Sequence, residues 1–169
     1  MAPRAAARLE SLGFENVFEY RAGKLDWLAA GNPMEGENSK RPRAGDVARK
    51  DMVVCGLNDQ VGDVRKRAGA AGWDVAVVVD DAQIVLGLLR SEQLDAEPDL
   101  IVEKAMRPGP STFRPYVPIK EMADYLVEHQ LDSVPITTSA GQLVGVLRKA
   151  DATREAASGL AAARRMITS

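Results

Sequence analysis

Few side chains in this sequence can do covalent chemistry. Among 169 residues there is one cysteine, Cys55, and one histidine, His129, which excludes an internal disulfide and a Cys/His zinc set. A Ser-His-acid triad would have to use His129, which closes a helical pattern between Glu128 and Gln130 and reads as a solvated polar residue. The spacing that does suggest chemistry lies in Gly145-Val146-Leu147-Arg148-Lys149-Ala150-Asp151, an apolar strand end followed by two cations and then a carboxylate at the start of an Ala-rich helix. The same shape occurs 58 residues earlier as Gly87-Leu88-Leu89-Arg90-Ser91-Glu92-Gln93, with an amide where the later copy has the acid. Such sets offer recognition through charge and hydrogen bonding. The chain is expected to be a binding protein and not an enzyme.

Composition supports that reading. At 46% hydrophobic and 27% charged residues, the sequence is that of a globular protein with material for a core. A net charge of −2 gives no general attraction to nucleic acid or anionic membrane. No run is long enough to span a membrane, and Met1-Ala2-Pro3-Arg4 lacks the apolar block of a signal peptide, so a cytoplasmic protein is expected.

The elements that must position the two sets follow from periodicity. Residues 3–12 predict a helix, Asn16 to Tyr20 a short strand and Lys24 to Ala30 a second helix, with Gly31-Asn32-Pro33 as a stop. A polar, basic connector runs through residues 38–50, and its Lys40, Arg41, Arg43, Arg49 and Lys50 read as solvated charges. From Met52 onward one pattern occurs twice. It consists of a leading strand (Met52 to Leu57; Ser111 to Phe113), a helix with one apolar face (Val61, Val64, Ala68; Ile119, Met122, Leu126) and a two-stranded hairpin (Val75 to Val79 with Ile84 to Leu89; Ser133 to Thr137 with Leu143 to Leu147), closed by another helix. Each unit is therefore β-α-β-β-α. A unit of about 50 residues buries too little surface to be stable alone, so the two are expected to pack as one pseudo-symmetric α/β (α+β) body with a cleft between matching strand ends.

Two resemblances extend this reading. Pro3-Arg4-Ala5-Ala6-Ala7-Arg8-Leu9, Leu12-Gly13-Phe14, Val17, Gly23-Lys24, Trp27 and Gly31-Asn32-Pro33 resemble the C-terminal end of a rhodanese-like domain. In that family the persulfide-bearing cysteine precedes this helix, and the chain starts after that point, so residues 1–37 read as a remnant that packs and does not catalyse. The tandem units resemble a pair of cystathionine-β-synthase (CBS) domains, through Ala105-Met106-Arg107-Pro108, Leu131-Asp132-Ser133-Val134-Pro135-Ile136 and the Gly145–Asp151 stretch. The implied organisation is a rhodanese-like remnant at 1–37, a linker at 38–50, a first repeat at 51–98, a second at 99–158 and a helical tail at 159–169.

The CBS resemblance implies a regulatory module that needs no cofactor, forms homodimers, binds an adenosine-containing small molecule such as AMP, ADP or ATP in its cleft, and signals to a protein partner. By position Asp151 would hold the ribose hydroxyls, and Arg148 and Lys149 would face phosphate. The backbone of Ser111, Thr112 and Phe113 would meet adenine between walls formed by Val134, Pro135 and Ile136. A weaker second site would use Gln93, Arg90, Val54 and Cys55. The family has Thr or Ser where this chain has Arg148 and Arg90, and Arg148 is free either to grip a phosphate bidentately or to pair with Asp151. Two other readings stand beside this one: a ligand-free dimerisation module with degenerate sites, and a degenerate sulfurtransferase dependent on Cys55.

Overall fold

The computed structural model describes residues 2–18, 27 and 41–167. Its first element is helix α1 (Ala2–Ser11). The segment after it carries no strand through Phe18, and the expected strand's remaining residues, like most of the second predicted helix, lie outside the described residues. Leu12, Phe14 and Phe18 are exposed. These side chains are not buried as those at the end of a packed domain would be, which removes the structural basis for a rhodanese-like remnant.

Two sheets make up the body. In the first half, β1 (Val53–Cys55) pairs parallel with β2 (Ala76–Val79), β2 pairs antiparallel with β3 (Val85–Leu89), and β3 pairs antiparallel with the short β4 (Arg107–Pro108). In the second half, β5 (Ser133–Thr137) pairs antiparallel with β6 (Leu143–Arg148). The expected leading strand there reduces to one parallel bridge between Phe113 and Ile136, because Pro115 turns the chain away directly after it. The long helices α3 (Val61–Ala70) and α6 (Ile119–Glu128) bury the apolar faces read from the sequence, Val61, Val64 and Ala68 in one, Ile119, Met122 and Leu126 in the other. The closing helices differ in length: α4 (Ser91–Leu94) is one turn, whereas α7 runs from Lys149 to Ile167 and absorbs the separate tail expected at 159–169.

The 58-residue period extends further back than the linker reading allowed. A helical turn, α2 (Ala44–Val47), matches α5 (Val102–Ala105), and Arg49 matches Arg107. Both segments cross between halves. Val102 donates to the Asp59 carbonyl in the first half, and Ala44 donates to the Val117 carbonyl in the second, each at the same repeat position. Arg49 exchanges backbone hydrogen bonds with Val146 on the outer edge of β6, just as β4 borders β3. Each sheet is thus completed by the segment that precedes the other unit. Gly145 makes the close approach possible: a Cβ there would sit 2.7 Å from the Arg49 carbonyl oxygen. The two hairpins also meet, with Val85 donating to Gly141 and Leu143 donating to Gln83. Gln83 and Gly141, both at positive φ, occupy equivalent turn positions.

Two buried clusters result, one around Val61, Val77 and Leu89 and the other around Met122, Leu126, Ile136 and Leu147. Val146 of β6 belongs to the first cluster, so the halves share a core. Among the described residues no helix is long and apolar enough to cross a membrane.

Candidate functional site

Strand β6 ends at Arg148 and passes directly into α7, which brings Asp151 to the first helical turn. Asp151 is buried, at 7% exposure. Its Oδ1 accepts a hydrogen bond from Arg154 Nη2 at 2.6 Å, while Oδ2 is buried with no hydrogen-bond partner among the described residues. A buried carboxylate oxygen left unpartnered costs stability. A carboxylate oxygen of this kind retains the capacity to accept hydrogen bonds from hydroxyl groups.

Arg148 does not pair with Asp151. Its Nη2 donates to the Gly72 carbonyl at 2.9 Å, and its guanidinium carbon lies 3.6 Å from the centre of the Trp73 ring, both residues belonging to the first half. Arg148 Nε and Trp73 Nε1 are both buried donors without a partner among the described residues. Lys149 is committed elsewhere: its Nζ lies 2.6 Å from Asp132 Oδ1 and its backbone N–H donates to the Asp132 carbonyl. That hydrogen bond from Lys149 holds the Asp132 carboxyl below its usual range.

The residues expected to meet adenine are used mainly for folding. Phe113 donates its N–H to the Pro135 carbonyl and accepts from the Thr137 N–H, and its ring meets Tyr125 edge-on with centroids 4.7 Å apart. Ser111 is exposed and Thr112 half-buried, while Val134, Pro135 and Ile136 are all buried in β5.

In the first half the corresponding polar groups serve the fold. Gln93 Oε1 accepts from the Arg90 N–H at 3.1 Å, capping the first turn of α4. Arg90 reaches into the second half and donates to the Ser133 carbonyl at 3.0 Å. Val54 gives its carbonyl to Arg67. Cys55 is buried, its Sγ donates weakly to the Val77 carbonyl at 3.7 Å, and burial pushes the thiol up to about 12. A thiol so held is not a nucleophile near neutral pH. Val54 and Cys55 line a cavity of about 380 Å³ with Asp59, Asp80 and Asp81, toward the opposite end of the sheet from Gln93. These acids disfavour a phosphate, and two of them are already engaged: Asp59 by Arg67, Asp80 by the N–H groups of Ala82 and Ile84. The first-half residues therefore do not converge on one ligand position.

Sequence reading missed Arg154, Trp73 and Gly72. Arg154 was findable, since a cation three residues after an acid on a helix is its neighbour. The partnership of Arg148 with residues 72 and 73 leaves no local signal.

Two β-α-β-β-α units, each sheet completed by the segment that precedes the other unit, are the arrangement of a CBS pair. The CBS domain family matches residues 102–158 of this sequence. No curated protein matches it. Solved structures show the same fold over about two thirds of the chain. CBSX2, a CBS-pair protein from Arabidopsis thaliana, solved in complex with AMP, is 20% identical with a TM-score of 0.62, covering 69% of this chain and 97% of that one. The cytosolic domain of the Mg2+ channel MgtE, in complex with ATP, is 22% identical with a TM-score of 0.61 over 67% of this chain. This chain spans 48% of that structure's length. The CBS domain pair of MJ0100, in complex with 5'-methylthioadenosine and S-adenosyl-L-methionine, is 17% identical with a TM-score of 0.60, covering 68% of this chain and 94% of that one. None of these comparisons supports a rhodanese-like segment.

Proposed function

We propose that this chain is a non-catalytic regulatory CBS-pair module that binds one adenine nucleotide through the second-half site. The observation that carries the reading is Asp151, a buried acid with an unpartnered oxygen at the start of α7, standing at the repeat position where the CBS resemblance puts the ribose anchor. The relatives solved with AMP, ATP and methylthioadenosine support an adenosine-containing ligand. The matching position in the first half carries Gln93, already spent as a helix cap, so one ligand per chain is expected. Occupancy would reach a protein partner through the geometry of a homodimer. Calorimetry with AMP, ADP, ATP and S-adenosylmethionine tests the reading, and no heat above background for any of them would sink it.

A second reading keeps the fold as a ligand-free dimerisation module. It is favoured by Arg90, Gln93 and Lys149 all being satisfied within the protein. Dimers in light scattering together with silence toward all four ligands would select it. Against the sulfurtransferase reading stands Cys55, which is buried with its thiol pushed up to about 12.

A further inference from the structure

Arg90 and Arg148 stand at matching positions, and each reaches into the other half of the molecule. They are not equally committed. Arg90 donates to both the carbonyl and the hydroxyl of Ser133. Among the described residues Arg148 makes one hydrogen bond, to the neutral Gly72 carbonyl, and it rests on the face of Trp73. Its Nε stays buried and unpartnered, as does Trp73 Nε1 beside it. A phosphate oxygen carries charge and accepts from a guanidinium in a two-pronged fashion, which a single loop carbonyl cannot match. Arg148 also immediately precedes the helical turn that bears Asp151.

The geometry points to Arg148 as a phosphate-responsive strut between the two halves, an inference that rests on the nucleotide site at Asp151. An anionic nucleotide anchored there draws the guanidinium off Gly72 and Trp73 and gives its free Nε a partner. The contact between halves on that side is released, while the Arg90 contact with Ser133 stays. The response is therefore one-sided. It requires a nucleoside phosphate: a nucleoside without phosphate fills the site without moving the strut, and a sulfonium nucleoside is repelled by the same cation.

The test uses the full chain carrying Trp27→Phe, which leaves Trp73 as the reporting indole of the two tryptophans in the sequence. Adenosine, AMP and S-adenosylmethionine are titrated while tryptophan emission and calorimetric heat are followed in parallel. AMP is expected to shift Trp73 emission and to bind about tenfold or more tighter than adenosine, which binds without the shift. Arg148→Gln is expected to abolish the shift and bring the AMP and adenosine affinities to about the same value. AMP heat without a change in Trp73 emission, or an AMP preference that survives Arg148→Gln, overturns the strut while leaving the nucleotide site standing. Absence of heat with all three compounds removes the nucleotide site and the strut with it. The wild-type comparison of AMP with adenosine is decisive even if Arg148→Gln does not fold.

Discussion

Replacing Asp151 by alanine should stabilise the free protein and weaken its ligand binding, opposite signs from one substitution. Removing a buried charged oxygen that has no partner gains about 2 kcal/mol, and alanine's better helix propensity adds about 0.5 kcal/mol. Against this, the pair with the exposed Arg154 is lost, worth about 0.5 kcal/mol at such a site. The favourable placement of an acid in the first turn of α7 is lost as well, at about 0.5 kcal/mol. The small void left by the carboxylate costs about 0.5 kcal/mol more. The balance is a gain of about 1 kcal/mol, which for a chain of this size raises Tm by about 2–4 °C. Adenosine binding should fall in the same variant by about 2–4 kcal/mol, or about 30- to 1,000-fold, through the loss of charge-assisted bonds to two hydroxyls. Thermal unfolding with and without saturating AMP reads both effects. A lower Tm together with unchanged affinity would refute the reasoning, since it is the result expected of an acid that serves only the fold.

Arg154→Ala should tighten nucleotide binding by about 1.5- to 5-fold in calorimetry, because an exposed cation competing for Asp151 Oδ1 is removed. Stability should fall as pH rises from about 9 toward 12, because the unfolded chain loses the Cys55 proton at its ordinary value while the buried thiol keeps it. Cys55→Ala should flatten that part of a pH series of denaturant melts, and an unchanged slope would contradict it. Gly145→Ala should cost about 1–3 kcal/mol by urea unfolding, since its Cβ would press on the Arg49 backbone. Gly87→Ala should be milder, because the nearest atom there is the flexible Met106 Sδ, although the Arg107 carbonyl at 3.0 Å also limits the space.

The architecture was legible because its signals are local and occur twice. The continuous apolar run Val75 to Val79 and the apolar faces of α3 and α6 each lie within a dozen residues, and the 58-residue offset reappears in hydrogen bonds such as those of Ala44 and Val102. What was illegible depends on distant partners. Residues 41–50 look like a polar connector because only one turn, Ala44–Val47, is helical and its packing surface is supplied by the second half. The acid at Asp151 was identifiable by position, but its burial and its unpartnered oxygen were not. Arg148 was misleading for the same reason: its close neighbour in sequence is Asp151, whereas its actual partners lie 76 and 75 residues earlier, at Gly72 and Trp73.

The crossing of the N-terminal segment into the second half has a consequence for biosynthesis. A chain emerges from the ribosome N-terminus first. Residues 42–49 are therefore free before the edge they complete, on β6, has been made. The sheet of the first half is completed sooner, since Val102 and Arg107 follow it within a few residues, although Val146 joins its core only with β6. The earliest part of the body to be synthesised thus waits longest for its place, and until α6, β5 and β6 have appeared the core that Ala44 and Val47 enter is incomplete.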